Sequence, residues 1–294
     1  MPPKGIFRAR QQCLALFLAS TRTLVHVAVI ALAALGAAGC ALDVLSSPEE
    51  VADRISHQYG WQKLTLPTKS FTLRGYFRAS QTNLKQLTVY IEGDGEAWIN
   101  EFTLAADPTP SRPFVLDLAV RHPRGAVLYL ARPCHYVRDT KCHSRYWSTY
   151  RFAPEVVAAM DGAIEQIKQQ TGASSLVLVG WSGGGVIAAL LAARRKDVDE
   201  IITLGANLDH AYWTAMDRLT PLDGSLNPAD YVQVLQKIPQ RHLIGAKDVV
   251  VSPQVVRSYV NKMTDTSKTK IIVLEDFDHD CCWAKNWPQL LNRP

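Results

Sequence analysis

The chain has 294 residues, of which 47% are hydrophobic and 20% are charged. This balance is typical of a globular protein and excludes an intrinsically disordered chain. The 17 glycines and 16 prolines follow no fixed period, which excludes a collagen-like sequence, and we find no internal repeat that would predict a solenoid or a propeller. The length allows one large domain or two small ones.

The net charge of +5 comes mainly from the N-terminal segment. Residues 1–39 contain four basic residues (Lys4, Arg8, Arg10 and Arg22) and no acidic residue. Removing these four from the 32 basic residues leaves 28, against 27 acidic residues. The body of the protein is therefore nearly neutral, and we expect no nucleic acid among its partners.

The N-terminal segment has the organisation of an export signal. Its basic stretch precedes an apolar run, residues 24–38, which is short for a membrane-spanning helix and suits the core of a signal peptide. The run ends in Ala37-Ala38-Gly39-Cys40, which resembles the lipobox of bacterial lipoproteins. The resemblance implies that residues 1–39 are a signal peptide and that Cys40 is the lipidated first residue of the mature protein. An uncleaved signal anchor, or a cleaved signal beside an unrelated cysteine, is the alternative.

Each of these alternatives places the body of the protein outside the cytoplasm, in the bacterial cell envelope. Under the lipoprotein interpretation, the residue that follows the lipidated cysteine is Ala41 and not an aspartate. Resemblance to lipoprotein sorting in Gram-negative bacteria then implies the outer membrane, with the body facing the periplasm. We therefore expect a lipid membrane as a partner through the N-terminal anchor, and we leave the oligomeric state open.

Four cysteines lie in the exported body, in two pairs that are close in sequence: Cys134, Cys142, Cys281 and Cys282. In an oxidising compartment these are expected to form disulfides, for which three connectivities exist. We favour a bond between Cys134 and Cys142, which would close a short loop. A bond between the adjacent Cys281 and Cys282 would need a distorted peptide, because neighbouring Cα atoms are closer than disulfides prefer. The state of that pair is left open.

Strands and helices alternate along the body after a predicted tether and entry segment, residues 40–69. Strands are predicted at 71–78, 87–93, 126–131, 176–179, 201–204, 241–244 and 270–274. Helices are predicted from Pro154 to Gly172, over 186–193, after Ser252-Pro253 and near 283–291, and the mixed pattern at 112–121 is a further candidate. The alternation predicts a mainly parallel sheet with helices on both faces. Residues 206–239 interrupt it and are predicted to be an insertion, a candidate cap over a site.

The pentapeptide Gly180-Trp181-Ser182-Gly183-Gly184 matches the G-x-S-x-G pattern of a nucleophilic serine. It follows a buried strand and precedes an apolar helix, which is the setting that the motif requires. Glycines two residues on either side of Ser182 avoid clashes in the sharp turn that presents the hydroxyl. The helix N-terminus there also favours developing negative charge. A tightly packed glycine turn or a phosphate cradle is the alternative.

A serine hydroxyl needs a base to remove its proton and an acid to orient that base. His279 follows the last predicted strand in a loop, and we predict that it is the base. His210 lies in the insertion and His242 lies inside an apolar strand, so both are weaker candidates. The segment Gly245-Ala246-Lys247-Asp248 directly follows the strand at 241–244, and Asp248 is the predicted acid. Its rival is Asp209, which follows the preceding strand.

These motifs occur in the order Ser182, then Gly245-Ala246-Lys247-Asp248-Val249-Val250, then His279. In that order they resemble the α/β-hydrolase-fold serine hydrolases of the esterase and lipase type, from about residue 70 to the end. The resemblance implies an α/β-hydrolase domain over residues 70–294, with a mainly parallel central sheet flanked by helices. It also implies a small insertion or cap, residues 206–239, after the sixth strand.

The oxyanion of an acyl-transfer intermediate needs preorganised N–H donors. By its position after the nucleophile, Gly183 supplies one of them. The resemblance implies that the second comes from the loop Glu92-Gly93-Asp94-Gly95-Glu96, where Asp94 is the candidate. Acidic side chains in this loop would oppose an anion unless they point away or are paired.

Residues 132–151 form a basic segment with interleaved aromatic residues. This composition fits a solvated loop pinned by the disulfide between Cys134 and Cys142. It also fits a rim that meets anionic lipid headgroups or an anionic acyl substrate.

The predicted function is therefore cleavage of carboxylic esters by a Ser182–His279–Asp248 triad through an acyl-enzyme, with a small-molecule acyl ester as the substrate. Acyl transfer to an acceptor other than water would use the same triad, and a non-catalytic envelope lipoprotein on the same scaffold is a third possibility. We expect no cofactor and no metal, because no metal-ligand spacing such as H-E-x-x-H occurs.

Overall fold

The computed structural model describes residues 46–80 and 85–293. The predicted signal peptide, the predicted lipid site at Cys40 and the first residues of the tether lie outside these ranges. Within them, no helix combines the length and the apolar character that crossing a bilayer requires.

Strands and helices alternate through most of the described chain. The strands are β1 (Gln62–Pro67), β2 (Thr72–Arg78), β3 (Gln86–Ile91), β4 (Trp98–Asn100), β5 (Thr103–Leu104), β6 (Ala126–Leu130), β7 (Ser175–Trp181), β8 (Val198–Leu204), β9 (Gln240–Gly245) and β10 (Thr269–Leu274). The α-helices are α1 (Pro48–Gln58), α2 (Phe114–Ala119), α3 (Pro154–Thr171), α4 (Gly183–Arg194), α5 (His210–Met216), α6 (Val232–Leu235), α7 (Pro253–Val260) and α8 (Trp283–Leu291). Two 3-10 helices, Ser144–Trp147 and Pro228–Tyr231, complete the set.

Eight strands form one sheet in the order β1-β2-β6-β3-β7-β8-β9-β10. The pairs β1–β2 and β2–β6 are antiparallel, and every later pair from β6 to β10 is parallel. The predicted α/β class with a mainly parallel central sheet is therefore confirmed. Because parallel strands end at the same edge, the loops after β3, β6, β7, β8, β9 and β10 all emerge at the carboxyl edge of the sheet.

The sheet is buried on both faces because its central strands are largely apolar, and β6 is apolar at every position. In β6, Ala126, Leu128 and Leu130 face one core, while Val127 and Tyr129 face the other. Residues of α3, α4 and α7 pack in the first core, and residues of α1, α2 and α8 pack in the second. Helices therefore cover both faces, as the alternation of strands and helices predicts.

The end signals of α3 act as predicted. Pro154 occupies its first turn, and Gly172 ends it in the left-handed conformation at φ 69°. In α4, every residue from 183 to 192 is buried, so the helix that follows Ser182 runs through the core. The turn that carries Ser182, the predicted nucleophile, is therefore held between a central strand and a central helix.

The segment from residue 46 to residue 69 differs from the prediction. We expected a tether and an entry segment there, but α1 packs against the domain and β1 is an edge strand of the large sheet. In β1 only Leu64 and Leu66 alternate with exposed residues, and two apolar positions are too few to predict a strand. A capping box at Ser47 and Glu50 marks the start of α1 and could have revealed the helix.

Residues 206–239 follow β8, the sixth strand of the large sheet in chain order, and contain α5, α6 and a 3-10 helix. The mixed pattern at 112–121 forms α2. A two-stranded hairpin, β4 and β5, stands apart from the large sheet. It was not predicted because its strands have only three and two residues.

The two cysteine pairs are both joined in the structure. Cys134 and Cys142, the pair favoured from the sequence, are bonded with their Cα atoms 5.6 Å apart. Cys281 and Cys282, which the sequence left open, are bonded to each other across a cis peptide.

Candidate active site

Ser182 occupies the sharp turn between β7 and α4. Its backbone has φ 51° and ψ −124°, a left-handed conformation that costs a non-glycine residue free energy. A Cβ atom at Gly184 would collide with the carbonyl of Ile91, and one at Gly180 would collide with the backbone of Gly184. The glycines of the motif therefore let α4 start directly against β3, with Ser182 at the carboxyl edge of the sheet.

Asp248 and His279 lie together at the same edge. Nδ1 of His279 lies 2.8 Å from Oδ2 of Asp248, and the Asp248 side chain is fully buried. The other oxygen of Asp248 accepts the backbone N–H groups of Val250 at 2.9 Å and Val251 at 2.8 Å. Both carboxylate oxygens are thus fixed, and the histidine has its Nε2 left for a second partner.

The loop that carries His279 is held against two neighbouring elements. The N–H of Lys247 donates to the carbonyl of Phe277 at 2.9 Å, which ties the loop to the end of β9. The indole N–H groups of Trp181 and Trp283 both donate to the carbonyl of His279, at 3.0 and 3.1 Å. The ring of Trp181 also lies 5.0 Å from the ring of His279, centroid to centroid. His279 is therefore packed against the residue that precedes Ser182.

The structure brings the predicted nucleophile, base and acid to one edge, but it does not join all three by hydrogen bonds. Among the described residues, Oγ of Ser182 has no hydrogen-bond partner. Contacts between nucleophile and base are often long in a free enzyme and shorten when substrate binds.

The other candidate histidines are buried elsewhere. Nδ1 of His242 is hydrogen-bonded to Thr203 at 2.8 Å, and burial lowers the pKa of His242 to about 3. Nε2 of His210 lies 3.1 Å from the carbonyl of Leu226, within the insertion. Neither is paired with a carboxylate by hydrogen bonding.

Asp209, the rival acid, has a different set of partners. Its carboxylate accepts from Ser258 at 2.5 Å and from Asn227 at 3.2 Å, and it lies 2.8 Å from Nζ of Lys262. It also accepts the N–H of Tyr212 at the start of α5. Asp209 thus fastens the insertion to α7, and Asp248 alone of the two is bonded to His279.

Two backbone N–H groups are available where the resemblance predicts the oxyanion donors. Among the described residues, neither the N–H of Gly183 nor that of Asp94 has a hydrogen-bond acceptor. The two positions lie side by side, because a Cβ atom at Gly183 would collide with the carboxylate of Asp94. Glycine at position 183 is therefore required for the loop after β3 to approach the start of α4.

The carboxylate of Asp94 is held between two arginines that the sequence analysis did not connect with it. Nη1 of Arg151 lies 2.7 Å from its Oδ2, and Nη1 of Arg132 lies 3.1 Å from its Oδ1. Burial alone would raise the pKa of Asp94, but the charges of Arg151 and Arg132 outweigh burial and hold the pKa below its ordinary value. The cluster of one carboxylate and two guanidinium groups has a net charge of +1, which favours an anion nearby.

The second acid of the loop, Glu92, points away from the site into the protein. Its carboxylate accepts from the N–H of Gly93 at 2.9 Å, the N–H of Val115 at 3.2 Å and the hydroxyl of Tyr129 at 3.0 Å. Burial raises the pKa of Glu92 to about 7, although these hydrogen bonds oppose the rise. Glu92 thus fixes the start of the loop after β3 from the interior of the protein.

The basic segment 132–151 uses most of its cations within the protein. Besides the two arginines on Asp94, Arg138 lies over the ring of Trp147, 5.5 Å from its centroid. Arg145 lies over the rings of Tyr146 and Tyr150, at 4.7 and 5.3 Å. Cation–π contacts and the disulfide therefore order the segment, while Arg138, Lys141 and Arg145 keep exposed surface.

A cavity of about 410 Å³ opens beside these residues. Its lining comes from the hairpin, the basic segment, the insertion and the loop after β9: Trp98, Glu101, Leu104, Ser148, Thr149, Arg151, Trp213, Leu219, Thr220, Leu222 and Val250. The volume falls in the range of about 300–1,000 Å³ that small-molecule sites occupy. Arg151 and Val250 connect its wall to Asp94 and Asp248, so the cavity adjoins the candidate catalytic groups. Among the described residues no three His, Cys, Asp or Glu side chains form a metal-ligating group.

The raised pKa of Glu92 predicts a pH-dependent stability. Because the folded protein holds this proton more tightly than the unfolded chain does, the free energy of unfolding should fall as the pH rises from about 4.5 to about 7. The side chain of the Glu92→Gln variant cannot ionise, but its NH₂ group faces groups that donate hydrogen bonds to Glu92 in the parent. We expect the variant to be less stable than the parent at pH 5 and the difference to narrow at pH 8, in urea unfolding. Parallel profiles for the two proteins would contradict this assignment.

The cluster at Asp94 predicts a large effect for a small substitution. Asp94→Asn removes the charge that compensates the buried Arg132, and unpairing a buried charge costs about 3 kcal/mol. Urea unfolding at pH 7.5 measures the loss. Asp276→Asn is the matched control, because Asp276 is 92% exposed in its pair with Lys247 and should leave the free energy of unfolding nearly unchanged. Equal effects of the two substitutions would show that the Asp94 cluster does not stabilise the fold.

Comparisons with known proteins agree with this architecture. Residues 138–246 match the family model for the alpha/beta hydrolase fold. No curated protein matches the sequence significantly.

Several solved structures share the fold. A serine hydrolase homologue from Coxiella burnetii has 14% identity and a TM-score of 0.54, over 78% of this chain and 93% of that chain. An esterase from Pyrococcus furiosus has 13% identity and a TM-score of 0.55, over 84% of this chain and 90% of that chain. A candidate lipase from Acinetobacter baumannii also has 13% identity and a TM-score of 0.55, over 84% and 93%. At identities this low, structural similarity establishes the fold alone. Together with the family model, it shows that the protein has the α/β-hydrolase fold.

Proposed function

We propose that the protein is a serine hydrolase that cleaves carboxylic esters through an acyl-enzyme. Ser182 is the nucleophile, His279 the general base and acid, and Asp248 the residue that orients His279. The N–H groups of Gly183 and Asp94 bind the oxyanion. The similarity in fold to an esterase from Pyrococcus furiosus supports this reaction class.

One observation carries the proposal. The buried Asp248 and His279, 2.8 Å apart, lie at the carboxyl edge of the sheet. At the same edge, the turn between β7 and α4 holds Ser182 at φ 51°. A structural serine has no need of this strained conformation, and a structural histidine has no need of a buried carboxylate behind it. Together they match the requirements of a nucleophile, a base and an orienting acid.

The first half of the reaction forms the acyl-enzyme. Oγ of Ser182 attacks the ester carbonyl carbon while Nε2 of His279 removes the hydroxyl proton. The carbonyl oxygen becomes an oxyanion and accepts from the N–H groups of Gly183 and Asp94. When the intermediate collapses, the bond from carbon to the alcohol oxygen breaks, and the imidazolium of His279 donates its proton to the departing alkoxide. Asp248 stabilises the imidazolium through Nδ1.

The second half releases the acid. Water attacks the acyl carbon of the Ser182 ester, and His279 takes one proton from the water. The second tetrahedral intermediate collapses with return of that proton to Oγ of Ser182. The products are one carboxylic acid and one alcohol, and the enzyme is regenerated. Acyl transfer would replace water by another hydroxyl in this step, and no contact in the site favours that acceptor over water.

The charge around the oxyanion loop supports the same proposal. An unpaired carboxylate beside Gly183 would repel the oxyanion, but Asp94 is paired with Arg132 and Arg151. Its side chain therefore anchors the loop while the net positive cluster lowers the energy of the anion. Glu92 is directed towards Tyr129 and Val115, away from Gly183.

We further propose that the enzyme is an outer-membrane lipoprotein of the bacterial envelope, anchored at Cys40 with its catalytic domain facing the periplasm. The lipobox-like Ala37-Ala38-Gly39-Cys40 supports the anchor. The bonded pairs Cys134–Cys142 and Cys281–Cys282 agree with an oxidising compartment.

Substitutions in the triad test the reaction. Ser182→Ala should lower kcat for p-nitrophenyl butyrate by about 10⁴-fold or more, because the nucleophile is lost. His279→Ala should lower kcat nearly as much, and the double variant little further, because triad members act as a unit. A fluorophosphonate probe should label the parent at Ser182 and leave Ser182→Ala unlabelled. An ester hydrolase activity that Ser182→Ala retains in full would refute the proposal, and a folded parent that neither labels nor hydrolyses would favour a non-catalytic role.

The choice of acid has its own test. Asp248→Asn should lower kcat by about 10²- to 10⁴-fold, since the imidazole loses its orienting carboxylate. Asp209→Asn is the matched control, because Asp209 is equally buried but bonds to Ser258 and Lys262. It should lower stability while the folded fraction keeps most of its kcat. The reverse ranking of the two variants would transfer the acid role to Asp209.

The anchor is tested by mass spectrometry of the mature protein purified from membranes. We expect an N-terminal Cys40 that carries lipid, and Cys40→Ser should move the protein from the membrane fraction to the soluble fraction or leave its precursor uncleaved. An unmodified Cys40 inside a longer mature chain would contradict this prediction and favour a signal anchor.

A further inference from the structure

We propose that the hairpin β4–β5 docks on a lipid bilayer, so that the cavity beside the triad opens onto the membrane and takes acyl esters from it. This inference rests on the proposed function and on the predicted anchor at Cys40, and it names the substrate class as esters dissolved in a membrane. Four observations carry it: exposed apolar side chains, the cavity beneath them, the direction of α1 and the length of the tether.

The hairpin exposes large apolar side chains. Phe102 is 86% exposed, Ile99 is 69% exposed and Trp98 is 44% exposed, all within five residues. Single exposed apolar side chains are common on proteins, but three large ones on one small hairpin mark an interaction surface. The hairpin pairs only with itself and does not extend the large sheet, so these side chains serve no core of the described domain.

The same hairpin forms part of the wall of the cavity. Trp98, Glu101 and Leu104 line it from the hairpin, and Trp213 of α5 and Val250 after β9 contribute to the same lining. Further exposed apolar residues lie within three positions of other lining residues in the sequence: Tyr150, Tyr212, Met216 and Val249. Exposed apolar side chains therefore flank, in sequence, several segments that line a mainly apolar cavity, and this suits entry of an acyl chain without its passage through water.

The described chain enters the domain at the edge of the sheet that carries this surface. Glu49, in the first turn of α1, lies 2.8 Å from Arg74, whose carbonyl accepts the N–H of Ala131 just past the end of β6. After the end of α1, Trp61 lies under the guanidinium of Arg78, which pairs with Val127 near the start of β6. Helix α1 therefore begins at the carboxyl edge, where Ser182, His279 and the cavity lie.

The tether between the predicted lipid site and this point is short. Five residues lie between Cys40 and Ser46, and even fully extended this stretch of chain would span only about 20 Å. An anchor at Cys40 thus holds the carboxyl edge close to the bilayer. This is why we assign the membrane, and not a second copy or another protein, as the occupant of the apolar surface.

Charge at the same edge is compatible with a bacterial membrane. The segment that follows β6 exposes Arg138, Lys141 and Arg145, which can approach anionic headgroups once the hairpin is docked. Glu101, on the hairpin, also lines the cavity and opposes such contact locally. We therefore expect apolar insertion of Phe102 and Ile99 to supply the main affinity, with the basic residues as a secondary contribution.

The test uses the full chain, reconstituted in vesicles of phosphatidylethanolamine and phosphatidylglycerol, and two fluorogenic esters. Methylumbelliferyl oleate is dissolved in the vesicles, and methylumbelliferyl butyrate is added in water. Ile99→Ser/Phe102→Ser removes the apolar surface without touching a residue that lines the cavity. Tyr59→Ser/Val234→Ser is the matched control, since these side chains are 46% and 45% exposed and belong to the end of α1 and to α6, outside the hairpin.

We expect the hairpin variant to hydrolyse the oleate in vesicles at least tenfold more slowly than the parent, with butyrate hydrolysis within about twofold. The control variant should match the parent with both esters. Equal oleate hydrolysis by the hairpin variant and the parent would overturn the docking inference and leave the proposed function intact, and so would an equal loss with both esters. Failure of the parent to hydrolyse either ester would overturn the proposed function itself.

Hydrogen exchange gives a readout that does not depend on catalysis. In the inactive Ser182→Ala chain on vesicles, amides of residues 98–104 should exchange at least tenfold more slowly than in the same chain carrying Ile99→Ser/Phe102→Ser. Amides of α6 should exchange at equal rates in the two proteins. Equal exchange of the hairpin in both would overturn the inference.

Discussion

The left-handed backbone of Ser182 is the constraint on which the site depends. The turn lifts the serine above the end of β7, but it forces α4 against the carbonyl of Ile91, so position 184 must be glycine. The same close approach brings Gly183 against Asp94 and thereby sets the loop after β3 beside Ser182. A strained residue of this kind persists only because the central strand and the buried α4 around it leave no room to relax.

That close approach places the negative charge of Asp94 beside Gly183, and Arg132 and Arg151 compensate this charge. A carboxylate next to an oxyanion would raise the energy of the transition state, yet the Asp94 side chain is what fastens the loop. Pairing it with two guanidinium groups reverses the local sign of charge and keeps the anchor. Both arginines belong to the segment after β6, so the packing of that segment by ring contacts and by the Cys134–Cys142 bond also fixes the charge beside Ser182.

The sequence predicted the parts of the molecule that follow from local patterns. Continuous apolar runs gave the parallel strands, Pro154 and Gly172 gave the ends of α3, and the order of Ser182, Asp248 and His279 gave residues that the fold brings to one edge. Patterns that are weak locally were missed: α1 and β1 have mostly exposed faces, and β4 and β5 are too short. The pairing of Asp94 with Arg151 joins residues 57 positions apart, and no local pattern encodes it.

The carboxyl edge of the sheet combines features that are separate in sequence. Parallel strands end at this edge, so the loops that carry the serine, the aspartate and the histidine emerge there together. The hairpin after β3 and the insertion after β8 occupy that opening and enclose the cavity between them. Because α1 also starts at this edge, a short tether to a membrane anchor would turn the loops, and not the helical faces, towards the lipid. The exposed side chains of Phe102 and Ile99 would then contact the hydrocarbon of the bilayer instead of water, which is favourable for apolar surface.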